Sequence, residues 1–287
     1  MSEIDIVFKQ SHVDCLLSYK NLYKTCFPKA HHLTGTYLKW LYQENPSGSF
    51  IGADAYCDNE LVGQVAAIPG EYFLNGKSAR GLLAVNVAVH PRFQGRFLFK
   101  KLGLKMCEYG AENGYEFVVG VANRKSTPMF IRQMGFQLVQ PLEARLGFGA
   151  LHLDLDAIAT TEQFRHLWSD ETFAWRLANP NNRIITRKIA DRLQCYAAAK
   201  GNVLPVYAEL PKQSLSNLEG NRLNLFSPFR LFLGLIPQSS YKFTRYMEVP
   251  QRFRPSPLNL IYKSLNHRVE KLEKDYISFS FLDFDAY

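Results

Sequence analysis

The chain has 287 residues, of which 47% are hydrophobic and 21% charged, and it carries a formal net charge of +8. This is the composition of a globular protein with room for one large domain or two modest ones, so core size does not limit stability. No stretch of roughly 18 uncharged apolar residues occurs, which argues against a transmembrane helix, and "MSEIDIVFKQ" has neither a basic region nor an apolar signal core, so a cytoplasmic location is expected.

Taken in order, "EIDIVFK" alternates apolar and polar residues and reads as a first strand. "SHVDCLLSYKNLYKTCF" follows as a helix, with Ser11 as the expected N-cap and Pro28 closing it. "LTGTYLKWLYQENPSG" is a second short helix, ended by Asn45-Pro46 and Gly48. "FIGADAYCDNELVGQVAAIPG" reads as two strands around Asp58-Asn59. "GLLAVNVAV" is nearly continuous apolar strand, the pattern of a strand buried on both faces. "VAVHPRFQGRFLFKKL" then runs through a proline turn into a basic, amphipathic helix reaching about Gly114. The strand "YEFVVGVA", the helix "STPMFIRQM" stopped at Gly135, and the strand "FQLVQPLEARLGFG" complete the first part. The order is β-α-α-β-β-β-α-β-α-β, a mixed sheet with helices on both faces.

The second half repeats a fragment of the first. "LKWLYQENP" at 38–46 corresponds to "FAWRLANP" at 173–180, each a Trp-bearing helix stopped by Asn-Pro and followed by a strand–turn–strand pattern. A duplicated, diverged domain is the reading, with one domain at 1–150 and a degenerate second one at 151–287. The second domain ends in a basic stretch: between 222 and 268 eight Lys and Arg residues are opposed only by Glu248 and interleaved with aromatics. Such a stretch suits an anionic substrate, a phosphate or a peripheral membrane surface, and otherwise a solvated basic face. No nucleic-acid reader motif accompanies the charge, so no nucleic-acid partner is expected. "FSFLDFDAY" reads as a closing strand with Asp283 and Asp285 on its solvated face. The five cysteines lack paired metal-type spacing and read as reduced packing thiols, with no metal expected.

Two segments carry a family resemblance. The first is Val87, Ala88, Val89, His90 and Pro91, followed by Gln94, Gly95, Arg96, Phe97, Leu98, Phe99 and Leu102. The second is Asn123, Ser126, Phe130, Gly135 and Phe136. Together they resemble the GNAT superfamily of acyl-CoA-dependent N-acyltransferases, over roughly the first 150 residues. The resemblance implies a GNAT-type mixed, mostly antiparallel α/β sheet, a second GNAT-like half, and acetyl-CoA or another acyl-CoA as co-substrate. It also implies transfer of the acyl group to a primary amine by direct attack in a ternary complex. The alternative is a non-catalytic acyl-CoA-binding or scaffold protein of the same fold.

A helix start after a strand offers unpaired N–H groups and a positive dipole end, which suit a diphosphate. By resemblance, Gln94 to Phe99 supply those donors, the strand at Val87–Val89 pairs with pantetheine, and Asn123 and Ser126 lie at its far end. Two residues depart from the family: Phe97 stands where similar proteins have glycine, and Phe130 where many relatives have a tyrosine acid. Phe97 is expected to turn toward the core, clear of the diphosphate. Glu71 and His90 are the nearest titratable candidates for catalysis, and Trp40, Tyr42 and Asn45 the candidates for lining the acceptor cleft; packing or turn formation is the plainer role for each. The acceptor is expected to be a small-molecule, glycan or peptide amine, with anionic and lipid-linked forms left open.

Overall fold

The computed structural model describes residues 5–189, 192–200, 204–211, 228–238, 245–254 and 256–284. They fall into two compact units, which are not the two contiguous stretches expected. One comprises Met1–Gly70, Arg80–Leu138 and Leu260–Lys271; the other comprises Glu71–Ala79, Val139–Asn259 and Leu272–Tyr287. The chain thus crosses between units near 139 rather than 150, and a late segment returns to the first unit. No helix of the described residues is long and apolar enough to cross a membrane.

The elements of the first unit follow the expected order: β1 (Val7–Gln10), α1 (Leu16–Cys26), α2 (Gly35–Tyr42), β2 (Ile51–Cys57), β3 (Glu60–Leu74), β4 (Lys77–Val89), α3 (Leu98–Glu112), β5 (Phe117–Ala122), α4 (Thr127–Met134) and β6 (Gln137–Pro141). Asp58 and Asn59 turn β2 into β3 with φ of 49° and 64°, the left-handed pair that a tight hairpin requires and that Asp and Asn tolerate. The strands run in the order β1-β2-β3-β4-β5-β14-β6, where β14 is Asn259–Ser264. The β1–β2 and β2–β3 pairs are antiparallel, whereas β4 and β5 are parallel. Helix α3 buries Leu98, Leu102 and Met106, four residues apart and therefore on one face. They join Val62, Val65, Val118, Phe130 and Ile261 in the core of this unit.

Ser11 does not cap α1. His12 caps the short 3-10 turn before it, and the Ser11 hydroxyl instead donates to the buried Asp54 carboxylate at 2.5 Å. Tyr19 and Tyr56 donate to the other Asp54 oxygen at 2.9 and 3.3 Å. Burial raises the Asp54 pKa and these three hydrogen bonds oppose the rise. A buried carboxylate draws every nearby hydroxyl to itself because leaving it unpaired costs more than an exposed helix end.

In the second unit, β7 (Glu143–Phe148), α5 (Leu155–Thr161), β8 (Phe164–His166), α6 (Asp170–Leu177), β9 (Ile185–Ile189), β10 (Arg192–Lys200), β11 (Leu204–Pro211), β12 (Phe229–Leu235) and β13 (Tyr246–Glu248) are joined by β15 (Phe279–Ser280). The sheet order is β13-β7-β12-β11-β10-β9, with β15 paired to β12. Residues Tyr72–Leu74 of β3 pair with β8 in this unit. "FQLVQPLEARLGFG" is two strands rather than one, since it breaks at Leu142. The expected closing strand is only two residues long, and Asp283 sits in a 3-10 turn and is buried rather than solvated; Asp285 lies outside the described residues.

The internal repeat has matching detail. Each Trp-bearing helix, α2 and α6, is followed by a buried asparagine whose side-chain oxygen accepts an N–H two residues on: Asn45 from Ser47 at 3.0 Å and Asn179 from Asn181 at 2.9 Å. Each is then followed by an antiparallel run, β2–β3 in one copy and β9–β10–β11 in the other. Each run leads to a parallel pair, β4–β5 or β11–β12. The asparagine oxygen takes over a turn hydrogen bond, which is why the same Asn-Pro stop serves both copies.

A groove where two parallel strands separate

Strands β4 and β5 are paired only from Gly81–Phe117 to Ala84–Gly120. Beyond that point they diverge, and a groove of about 750 Å³ opens between them in the first unit. This is why "GLLAVNVAV" departs from its reading as a doubly buried strand: residues up to Leu83 are buried, while Ala84, Val85, Asn86 and Val87 are partly exposed. The strand stays apolar but loses its neighbour there. It presents apolar side chains and unused strand backbone to whatever fills the gap.

The groove reaches the start of α3. Val87, Val89, Gln94, Gly95, Phe97, Leu98, Phe99, Asn123 and Ser126 all line it. Ala88 and Arg96 do not: Ala88 is buried, and the Arg96 guanidinium lies over the Phe93 ring at 5.5 Å. Gly95 has φ of +78° and Phe97 of +59°, so two left-handed residues fold the loop tightly before the helix. Phe97 occupies the N-cap position, and no side chain caps the helix. Its first turn holds no acidic residue and contains Lys100 and Lys101 instead. Two cations at the positive end of a helix oppose the dipole, and an anion seated on the free N–H groups would relieve that.

Phe97 is not turned toward the core. It is 66% exposed and borders the groove, at a left-handed position that costs a non-glycine residue roughly 1–2 kcal/mol. Phe99 is the residue that packs inward, edge-on to Phe130 with ring centroids 5.3 Å apart. Phe130 also lines the groove and stacks edge-on with Phe136 at 5.1 Å. At the far end, the Asn123 side-chain oxygen accepts the N–H groups of Lys125 and Ser126 at 2.9 and 3.0 Å. Ser126 holds the N-cap position of α4, but its hydroxyl accepts the Asn123 N–H at 3.1 Å instead of capping the helix.

The remaining candidates lie elsewhere. Glu71 belongs to the second unit, where its carboxylate accepts the Ser78 hydroxyl at 3.1 Å. His90 caps the turn Pro91–Phe93 and accepts the Arg92 N–H at 3.3 Å. Neither lines the groove. Trp40, Tyr42 and Asn45 are buried and do not line it either. Trp40 packs against Tyr37, and Asn45 donates to the Pro69 carbonyl at 3.0 Å. Tyr42 acts at one remove, since its hydroxyl accepts the Asn86 amide at 2.7 Å and lies 2.7 Å from the Tyr23 hydroxyl, which in turn donates to buried Gln64. Asn86, a groove residue, is therefore fixed from behind by a buried chain of hydroxyls.

Among the described residues the groove is lined by no carboxylate; its titratable groups are Cys26, His32 and Lys125. Burial lowers the His32 pKa and pushes the Cys26 thiol up to about 11, so at neutral pH the imidazole is neutral and the thiol keeps its proton. Cys26 ends α1, and His32 lies in the connection that follows, in which no helix or strand pattern singles out a functional residue. No group of His, Cys, Asp and Glu suited to a metal ion occurs among the described residues.

The basic stretch is largely used internally. In the second unit Arg230 donates to the Gly149 carbonyl at 2.7 Å and lies over the Tyr196 and Tyr207 rings. Arg254 pairs with Glu248 at 2.9 Å. In the first unit Lys263 donates to the Met134 carbonyl at 2.9 Å. Arg222 and Lys242 lie outside the described residues.

Residues 13–139 match the family model described as an acetyltransferase (GNAT) domain. Several solved structures share the fold across both units. A GCN5-related N-acetyltransferase from Anabaena variabilis has a TM-score of 0.59 at 10% identity, covering 91% of this chain and 73% of that one. One from Kribbella flavida has a TM-score of 0.60 at 9% identity, covering 92% and 72%. Eis1 from Mycobacterium abscessus has a TM-score of 0.59 at 12% identity, covering 91% and 74%. At such identities the likeness is one of fold. No curated protein matches the chain.

Proposed function

We propose that the protein is an N-acyltransferase that moves an acetyl or other acyl group from acyl-CoA to a primary amine, a reading that starts from the match of residues 13–139 to the GNAT acetyltransferase family model. The observation that supports this most directly is the groove itself. It joins an unpaired, apolar strand edge to an uncapped helix start flanked by two lysines. Few ligands combine an amide-bearing apolar arm with a diphosphate, and CoA is one of them. Acyl-CoA supplies an acyl group already activated as a thioester.

The residues divide the work as follows. Backbone N–H groups from Leu98 onward, with Lys100 and Lys101, hold the diphosphate. The exposed edge of β4 from Val85 to Val89 orients the pantetheine arm as an added strand would, and its N–H groups polarise the thioester carbonyl. His32 accepts the proton from the incoming ammonium. Asn86, whose amide donates to the Tyr42 hydroxyl, lines the groove in a fixed orientation. Phe99, Phe130 and Met129 exclude water from its wall.

Thermal unfolding with acetyl-CoA tests binding, and thiol release on a panel of amines tests transfer. At a hundredfold excess over Kd the ligand adds about 2.7 kcal/mol, seen as a rise of roughly 5–10 °C in melting temperature for a unit of this size. His32→Gln is expected to lower kcat by roughly 10²-fold while leaving acetyl-CoA binding unchanged. No stabilisation at millimolar acetyl-CoA would reject the reading. The absence of a carboxylate among the described residues that line the groove motivates a second reading, an acyl-CoA-binding protein without transfer, which stabilisation with no thiol release from any amine would favour.

A further inference from the structure

The basic stretch leaves two described cations without an internal use. Arg230, Arg254 and Lys263 are engaged as given above, and Arg268 pairs with Glu116 at 3.6 Å. Arg245 and Arg252 are exposed and form no ion pair among the described residues. Each instead lies over an exposed phenylalanine ring, Arg245 over Phe148 at 5.6 Å and Arg252 over Phe253 at 4.9 Å. The acids of β7 and β13, Glu143 and Glu248, are held by Arg145 and Arg254 at 2.6 and 2.9 Å. They therefore do not cancel the charge of Arg245 and Arg252.

Phe148 belongs to an apolar sheet face. Register sets it opposite Phe229 of β12, and sets Leu146 opposite both Leu231 of β12 and Met247 of β13. Directly paired residues of antiparallel strands share a face, and alternation brings Leu146 and Phe148 onto the same one. The other face carries Phe232 and Tyr246 into the core of the second unit. At this edge the first face is open to solvent: Met247 is 77% exposed, Phe229 52% and Phe148 49%, with Leu146 exposed beside them. A soluble protein seldom leaves so many large apolar side chains exposed together unless something docks on them.

Whatever docks here must be apolar and anionic at once, because a guanidinium lies directly on the ring. A bilayer with acidic headgroups has that layering, negative charge at its surface and hydrocarbon just beneath. Arginine stems lie along apolar surface while their heads reach charged oxygens. We propose that this face of the second sheet is a membrane-docking surface, with Leu146, Phe148, Phe229 and Met247 entering the boundary between headgroups and acyl chains and Arg245 and Arg252 meeting anionic headgroups. The surface is independent of any chemistry in the groove of the first unit.

The test follows the full chain by co-sedimentation with vesicles of phosphatidylcholine alone or of equal parts phosphatidylcholine and phosphatidylglycerol. Binding to the mixed vesicles is expected, weakening as salt is added, with binding to phosphatidylcholine alone weaker by roughly tenfold or more. A chain with a net charge of +8 is drawn to any anionic surface, so variants locate the contact. Arg245→Gln with Arg252→Gln should weaken binding roughly 10- to 30-fold. Phe148→Ser with Met247→Ser, at unchanged charge, should weaken it by roughly tenfold or more. Lys20→Gln with Lys24→Gln, exposed on α1 of the first unit, should change it less than about twofold. All the substituted side chains are exposed, so every variant should keep the melting temperature of the parent. An equal loss from the α1 pair, full binding by the Phe148–Met247 variant, or no binding to the mixed vesicles would each overturn the proposal. So would a lipid-free dimer that the Phe148–Met247 variant dissociates, because a second copy of the chain would then cover this face.

Discussion

Lys100→Glu combined with Lys101→Glu is expected to make the protein more stable and nearly unable to bind acetyl-CoA. The two effects run in opposite directions for one reason. Helix α3 begins without a side-chain cap and without an acidic residue in its first turn. Carboxylates there interact favourably with the dipole where ammonium groups do not, each exchange contributing about 0.3–1 kcal/mol. The melting temperature of the free protein should therefore rise by a few degrees. The same carboxylates repel a diphosphate, and Kd should increase roughly 10- to 100-fold at low salt. The neutral pair Lys100→Gln and Lys101→Gln should fall between, and added salt should narrow the differences. A double reversal that changes Kd less than twofold would mean that no anion sits at this helix start.

His166→Phe is expected to stabilise the protein, and far more at pH 5 than at pH 7.5. The ring contacts Tyr72 edge-on at 4.8 Å and Trp168 at 3.8 Å, contacts that phenylalanine can keep. It removes a buried nitrogen that has no partner, for about 1 kcal/mol or more at any pH. The pH term follows from the depressed pKa. The unfolded chain takes up a proton below about 6.5 while the folded ring, held down to about 3, does not. Stability from this residue is therefore complete above 6.5 and is lost as the pH falls toward 3, by about 2 kcal/mol at pH 5. Asp283, pushed up to about 6, has the opposite slope: its raised pKa favours the fold at low pH, and that advantage is lost as pH rises through 6. It is present in both proteins and cancels in the comparison. Urea unfolding at the two pH values measures the difference. A variant no more stable than the parent at pH 5 would show that His166 is protonated in the fold.

The site was only partly legible in the sequence. Gln94, Gly95, Leu98, Phe99 and Asn123 were readable as residues beside one loop and helix start, because the backbone there follows the local strand–turn–helix pattern, and all five line the groove. Asn86, Tyr23 and Gln64 were not. They are far apart in sequence and meet only because α1, α2, β3 and β4 pack together. His32, which lines the groove, gave no signal because an irregular connection carries no helix or strand period. A phenylalanine after a tight turn ordinarily packs inward, and Phe97 does not. The left-handed backbone at that residue turns its ring to solvent instead.

What the sequence determined alone was local and periodic: the element order of the first unit, the Asp58-Asn59 hairpin, and a helix–Asn-Pro–strand fragment used twice. Each follows from rotational period, turn chemistry or simple repetition within a few residues. What only the tertiary structure decided was where paired strands part company, which unit each late segment joins, and which polar atoms are left without a neighbour. Those depend on residues distant in the chain. The groove itself exists only because α3, β4 and β5 bring an unpaired strand edge and an uncapped helix start to one gap.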